Sequence, residues 1–409
     1  MFTLYIKALK IKKEITSKLK YANICLFCCT FASKIYNELL KIIGIMKKFL
    51  FFLPFVLFSL CACMVACTES PSVTECEVID VKQPKFTNWA SLLSIEEVVP
   101  LENTNSSLLT VASKCRVEGN LILFQDFKQK SLFVFDKHNG KFKYEVGKVG
   151  YSESEHVDFL DFSVDIEHSL ITILDERGMT LFDENNGKFL RRDRSINKSG
   201  TDYCRFMVVG NDTLLYSPYK DYSISKMSQD KKIEDLRKRN GIQMESERFF
   251  SLDDNNLVLP DYGCFVIDTY KKGKLYPKYL LDFGSEALPE KYISDKYDDF
   301  EKTDNMKRYF KSVQMCFENS KWLYTLVVGP QQKYYMVFYD KNLKKAYAGP
   351  LDIELGISIV DVDETGFWAL VYPMEFSEKS PFYPSLKEKL KAYPNNPMLV
   401  KIKLNGQLD

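Results

Sequence analysis

Eight residues recur in this chain: Phe135-Asp136-Lys137-His138-Asn139-Gly140-Lys141-Phe142 returns 47 positions later as Phe182-Asp183-Glu184-Asn185-Asn186-Gly187-Lys188-Phe189. Each copy follows an apolar run, at 132–135 and 179–182. Each also carries an Asn-Gly pair, whose residues accept the positive φ angles of a tight hairpin turn. Looser copies follow: Phe265-Val266-Ile267-Asp268 before Lys272-Gly273, Val337-Phe338-Tyr339-Asp340 before Asn342, and the run 399–404 before Asn405-Gly406. Residues 223–227 with Ser228-Gln229-Asp230 fill the remaining place, making six.

A second element keeps step, a polar turn followed by a short apolar strand. It appears before 121–124, 170–174, 213–216, 257–259, 322–327 and 367–371, again six times. Each unit therefore reads as strand, polar turn, strand, loop, strand, hairpin turn, strand. One such meander cannot bury both of its faces, so the copies must stack on one another, and radial stacking gives a propeller. The spacing predicts an all-β chain folded as a six-bladed β-propeller of four-stranded antiparallel blades, with units of propeller length. Aromatic residues make up 14% of the chain, in keeping with β structure.

Spacing lengthens in two places, at about 285–309 and 374–396. Both read as loop excursions over one rim, and 385–392, between Pro384 and Pro394, reads as a short helix. Residues 95–101 form a strand with no neighbour in sequence. It is expected to join the last blade, so that the chain ends meet and no long edge is left open.

The export signal begins at Met46. Lys47 and Lys48 precede an apolar run at 49–60, and the chain turns polar at Thr68-Glu69-Ser70. Between them, small residues before a cysteine resemble a bacterial lipobox, and two placements stand. Met64-Val65-Ala66-Cys67 puts the acylated residue at the polar boundary, whereas Leu60-Cys61-Ala62-Cys63 would leave apolar Met64-Val65-Ala66 behind, so Cys67 is preferred. An uncleaved membrane span over 49–66 is the alternative, shortened and interrupted by Pro54. The boundaries follow: 1–45 an over-long upstream extension, 46–66 a lipoprotein signal peptide, 67–90 a tether, 91–409 the propeller. Cys25, Cys28 and Cys29 in the extension have no second ligand pair at zinc-like spacing.

The formal net charge of +1 is carried by the leader: its first 66 residues hold ten lysines and two acids, leaving 46 basic and 53 acidic residues beyond. That mildly acidic remainder gives no footprint for nucleic acid. Cys76, Cys115, Cys204, Cys264 and Cys316 are too widely spaced for a disulfide framework and read as small buried hydrophobes.

The repeated hairpin, together with Ile95-Glu96-Glu97-Val98-Val99-Pro100-Leu101-Glu102, resembles the six-bladed β-propeller lipoproteins of gut Bacteroidetes, which are NHL/TolB-like. Gly147-Lys148-Val149-Gly150 is similar to that family's glycine-rich loop, and Asn396-Pro397-Met398-Leu399-Val400 to its closing strand. The likeness runs from about residue 91 to the end. Ser152 and Ser154 depart from it where the family tends to have glycines, as does the third unit, which lacks Asn-Gly. The resemblance implies the fold, export and an outer-membrane lipoprotein in the cell envelope, and it transfers no catalytic residues.

Chemical motifs are sparse. His138, His156 and His168 lie in the first two units, and no Gly-x-Ser-x-Gly elbow accompanies them. Gly147-x-x-Gly150 lacks the Gly-Lys-Ser/Thr of a phosphate loop and reads as a blade connection. Asp126, Asp161, Asp175 and Asp361 are placed to reach an axial channel, where carboxylates from several blades suit a hard cation; as turn or solvated residues they would have no such role. Tyr216, Tyr219 and Tyr222 would stack on a sugar or peptide if they shared a surface, and otherwise belong to blade packing. No catalytic residue, metal or cofactor is assigned.

The sequence thus points to a membrane-anchored, non-enzymatic binding or scaffold module. Its partners would be membrane lipid, through the acylated Cys67, and a glycan, peptide or protein on one rim. A metal-assisted lactonase- or lyase-like enzyme using the axial acids is the alternative. A structural subunit of an envelope complex is the third.

Overall fold

The computed structural model describes residues 76–197, 202–241, 243, 246–252, 255–293 and 307–405. The leader and the lipobox cysteines, including Cys63 and Cys67, lie outside the described residues.

Strand β1 (Glu77–Asp80), a single-turn helix α1 (Trp89–Leu92) and strand β2 (Leu93–Pro100) precede the first blade. Blade one is β3 (Ala112–Glu118), β4 (Leu121–Asp126), β5 (Ser131–Asp136) and β6 (Phe142–Val146). Blade two is β7 (Asp161–Asp165), β8 (Leu170–Asp175), β9 (Gly178–Asp183) and β10 (Phe189–Asp193). Blade three is β11 (Arg205–Val209), β12 (Asp212–Tyr216), β13 (Tyr222–Met227) and β14 (Ile233–Lys238). Blade four is β15 (Phe249–Leu252), β16 (Asn255–Val258), β17 (Val266–Lys271) and β18 (Lys274–Asp282). Blade five is β19 (Ser312–Glu318), β20 (Trp322–Val328), β21 (Tyr334–Asp340) and β22 (Lys345–Pro350). Blade six takes β23 (Ser358–Asp363), β24 (Gly366–Val371) and β25 (Met398–Leu404) from the C-terminal end, and β2 closes it from the other. Leu93 stands opposite Leu404 and Pro100 opposite Met398 in that antiparallel closure. Six separate sheets thus form a six-bladed propeller, and the ring shuts through hydrogen bonds as the unpaired strand at 95–101 requires.

Why the second strand of each unit is apolar throughout, rather than alternating, is clear from β4. Ile122 and Phe124 pack toward blade six with Trp368 and Leu399, while Leu121 and Leu123 pack toward blade two with Phe162 and Ile171. Successive side chains of a strand point to opposite faces, and here both faces meet a neighbouring blade. Burying each such side chain contributes about 1.5–3 kcal/mol.

The repeated hairpin works differently from the expected two-residue Asn-Gly turn. The Asp136 carboxylate accepts the backbone N–H of His138 (3.0 Å) and Asn139 (3.2 Å), and the Gly140 N–H donates to the Asp136 carbonyl at 2.8 Å. Gly140 alone takes the left-handed conformation, at φ +69°, and the Asn139 side chain accepts from the Lys141 N–H at 2.9 Å. Aspartate therefore organises a wider turn, and glycine ends it. Gly140 is doubly required, since a Cβ there would stand 2.0 Å from the Pro100 carbonyl oxygen of the closing strand. The two-residue turn occurs instead in blade four, at Lys272-Gly273, where both residues have positive φ, +48° and +80°.

Residues 76–92 are not a free tether. β1 adds to blade four as a fifth, parallel strand at its outer edge, Glu77 opposite Tyr279 and Asp80 opposite Asp282. Beyond it, the Phe86 N–H donates to the Ala348 carbonyl (2.8 Å), and the buried Trp89 indole donates to the Pro350 carbonyl (2.9 Å). Gly349 makes room for this crossing, because a Cβ there would meet the Phe86 carbonyl oxygen at 1.8 Å. The segment is mixed in composition, and the buried Ile79, Val81, Trp89 and Leu92 carry its packing.

Candidate binding site on the propeller axis

The inner strands β3, β7, β11, β15, β19 and β23 surround the axis, each entered from the end of the disc that carries the blade-to-blade loops. A cavity of about 260 Å³ opens at that end, walled by side chains from all six blades. Its charged lining is Lys114 and Arg116 of β3, Asp158 just before β7, Arg205 of β11 and Glu247 just before β15. Phe127, Phe159, Phe250 and Phe317 supply its aromatic lining.

The charges are cross-linked between blades. The Lys114 ammonium lies 2.5 Å from Asp161 and 2.7 Å from Glu247, joining blades one, two and four. Arg116 lies 3.6 Å from Asp361, donates to the Phe249 carbonyl at 3.1 Å and covers the Phe250 ring at 5.7 Å. Arg205 donates to the Leu160 carbonyl at 3.0 Å.

Asp161 and Asp361 sit behind this wall in matching roles. Each accepts the N–H of its own successor, Phe162 or Val362, at 2.9 Å. Each also accepts an N–H from the next blade's inner strand: Phe206 at 3.0 Å for Asp161, Val117 at 2.6 Å for Asp361. An inner strand has no partner on its axial side, so its N–H groups need an acceptor, and these carboxylates provide it. Burial pushes both carboxyls above their ordinary range despite the cations beside them. Burial works on Glu247 in the same direction, but Lys114, Arg116 and Arg205 together outweigh it and bring its pKa to about 2. Burial likewise opposes the charge on Arg116, and Asp361, Glu247 and Asp161 prevail, so its pKa rises.

The four acids singled out in the sequence divide in two. Asp161 and Asp361 reach the axis; Asp126 and Asp175 do not, because they end the second strands of their blades. Asp126 instead gathers the Thr110 hydroxyl (2.7 Å) and the N–H groups of Val111 (3.0 Å), Lys128 (3.0 Å) and Gln129 (2.9 Å). Asp175 pairs with Arg192 at 2.8 Å and accepts the Arg177 N–H at 2.9 Å. The axial carboxylates face ammonium and guanidinium groups, and among the described residues no three His, Cys, Asp or Glu side chains converge. The donor set is therefore that of an ion-pair network rather than of a hard-cation site.

The other sequence candidates fall into structural roles. Gly147-x-x-Gly150 begins the connection from β6 to β7, whose carbonyls are held by guanidinium groups: Arg177 donates to the Tyr151 carbonyl at 2.9 Å and Arg192 to the Glu153 carbonyl at 3.2 Å. His156 is buried in this loop, its Nε2 2.5 Å from the Lys130 carbonyl and its Nδ1 without a hydrogen-bond partner among the described residues. His138 and His168 occupy exposed turns, paired with Asn120 (3.1 Å) and Asp165 (2.9 Å). Tyr216 is fully buried under Arg248, whereas Tyr219 is 62% exposed, so the three tyrosines do not form one surface. Cys115, Cys204 and Cys316 are buried, Cys76 and Cys264 half-buried, and burial pushes the Cys115 and Cys316 thiols well up.

The described parts of both insertions lie at the cavity's end of the disc, since one joins an outer strand to the next inner strand and the other joins a second strand to a third. In the first, Leu288, Tyr292, Ile293 and Tyr309 pack with Tyr262. In the second, helix α2 (Tyr383–Ala392) buries Leu386 and Leu390. Lys114, Arg116, Arg205 and Glu247 were missed in the sequence because they are far apart in the chain and each looks like a solvated strand residue. The alternation Lys114-Cys115-Arg116-Val117, charged side chains on the axial face and apolar ones in the core, was the available signal.

A ring of six four-stranded blades around a charged axial cavity defines the class: a closed β-propeller with a rim-facing pocket. The chain belongs to the family described as "Domain of unknown function (DUF4934)", whose model matches residues 76–398. It is similar in fold to a Bacteroides fragilis protein described as exported, at 17% identity and TM-score 0.65, over 80% of this chain and 99% of that one. A DUF4221 family member from Bacteroides vulgatus is similar at 8% identity and TM-score 0.52, over 80% of this chain and 100% of that one. A search of curated proteins gave no match.

Proposed function

We propose that this protein is an exported binding module of the cell envelope that takes its ligand at the mouth of the axial cavity. The observation that carries the reading is the cavity itself. All six blades contribute to it, its charges are fixed by pairing across blades, and the described parts of both insertions stand at its end of the disc. Fixed polar groups beside aromatic rings in a concave site are what ligand recognition needs. No nucleophile with an activating base lines it, so binding rather than catalysis is the reading favoured.

Anchoring belongs to the same proposal. Acylation at Cys67, an outer-membrane location and kinship with NHL- and TolB-like lipoproteins rest on the lipobox and the repeated hairpin alone, and the exported Bacteroides fragilis neighbour supports export only. Within the described residues, β1 lies on the outer edge of blade four, away from the axial cavity. Two measurements test this. Mass spectrometry of the membrane-extracted protein should find a diacylglyceryl Cys67 as the first residue, and Cys67→Ser should release the protein from membranes while Cys63→Ser does not. A thermal-shift screen against glycans, peptides and metal ions should yield a stabilising ligand that Ser113→Trp, which fills the mouth, no longer recognises.

A further inference from the structure

We infer that the axial cavity takes an uncharged polyhydroxylated ligand, a terminal sugar ring of a neutral glycan. This rests on the binding reading above and narrows it to one ligand class.

Charge balance comes first. The wall and the shell behind it hold Lys114, Arg116 and Arg205 against Asp161, Glu247 and Asp361, and the one further lining carboxylate, Asp158, is matched by Lys130 at 3.0 Å. Asp161 and Asp361 are spent on neighbouring strands and lie out of a ligand's reach, with 0% and 5% of their side chains exposed. A ligand bearing a carboxylate or an amine would add an unmatched charge to a partly buried, already neutral network, which is costly. An uncharged ligand adds none.

The polar surface is also of mixed kind. Lys114 and Arg116 present donors, and Glu247 and the Gln125 amide oxygen present acceptors, the Gln125 amide nitrogen being used on the Phe159 carbonyl at 2.9 Å. A hydroxyl both donates and accepts, so neighbouring hydroxyls on a ring can satisfy both sets at once. An aromatic face completes the match: Phe127 stands 69% exposed at the mouth, a flat apolar surface for the C–H face of a sugar, and the buried Phe250 and Phe317 back the cavity behind it. The volume of about 260 Å³ falls just below that of ordinary drug-sized pockets, which suits one ring rather than an extended chain.

The test is calorimetric titration and saturation-transfer NMR on the purified full-length chain, using glucose, galactose, mannose, galacturonate, glucosamine and a panel of neutral tripeptides. At least one neutral hexose should bind, with galacturonate and glucosamine about tenfold weaker than their uncharged counterparts. Ser113→Trp should abolish that binding and Phe127→Ala weaken it, both at exposed positions and both with unchanged melting temperature. Equal or tighter binding of a charged analogue would overturn the inference, as would hexose binding that Ser113→Trp leaves intact. Binding of tripeptides alone, blocked by Ser113→Trp, would overturn the sugar class while leaving the binding reading in place. If no probe binds while Ser113→Trp is folded, both fail.

Discussion

Blade one holds charge in two opposite ways. At its outer hairpin, Asp136 answers to residues two and three positions ahead, His138 and Asn139, and the turn is nearly self-contained. At its inner strand, Lys114 and Arg116 answer to Asp161, Glu247, Phe249 and Asp361, in blades two, four and six. The hairpin can form in an isolated meander. The axis exists only once the ring has closed, so stability lost there is lost by the whole propeller, whereas a damaged hairpin loses only its own turn.

Removing an axial carboxylate should break the comparison most forcefully. Asp361→Ala leaves the Val117 N–H without its acceptor and removes the carboxylate beside Arg116, and Asp161→Ala leaves the Phe206 N–H without its acceptor and Lys114 with Glu247 alone. Each should cost about 3–5 kcal/mol by chemical denaturation. Trp89→Ala tests whether residues 76–92 belong to the propeller; truncating this buried indole should cost about 3–5 kcal/mol if they do, and nothing measurable if the segment is detached. Asp136→Ala, by contrast, should cost only about 1 kcal/mol, two modest hydrogen bonds in a half-exposed turn.

Two histidines sharpen the same contrast through pH. Burial lowers the pKa of His156 below 6.5, so the unfolded chain takes up the proton first. Its contribution is full above pH 6.5 and is lost as pH falls toward the folded-state pKa. His168 is exposed, and its hydrogen bond to Asp165 raises its pKa, so its small contribution is present below pH 6.5 and is lost as pH rises through the folded-state value. Melting temperatures measured between about pH 7.5 and 5.5 should therefore fall more steeply in the wild type than in His156→Gln, while His168→Gln should change the slope slightly in the other direction. The smallest effect is expected at Lys272, a non-glycine residue at φ +48° in the two-residue turn of blade four. Lys272→Asn creates the favoured Asn-Gly pair and should stabilise by up to about 1 kcal/mol.

Much of this contrast could be read in advance from one side only. The hairpins of blades one to five, the closing strand at 95–101 and the helix near 385–392 were legible because each is written in adjacent residues: an Asp and a Gly at fixed offsets in the first two blades, an unpaired apolar run, a Pro before a short amphipathic stretch. Even there the mechanism differed, since Asp136 rather than Asn139 shapes the turn. The turn expected at Asn405-Gly406 is not a hairpin, because β2 supplies the last strand of blade six. The attachment of residues 76–92 was illegible because parallel pairing of β1 with β18 joins segments about two hundred positions apart, and Gly349 gives no hint of the chain that crosses it.

By itself, the sequence determined the unit, its number and the fact that the units must share their faces, because hairpin chemistry and apolar runs are local properties of a strand and its turns. Only the tertiary structure decided that Lys114, Arg116, Arg205, Glu247, Asp161 and Asp361 belong together. Ring closure alone brings inner strands from distant parts of the chain around one low-dielectric axis, where a charge must find its partner in another blade.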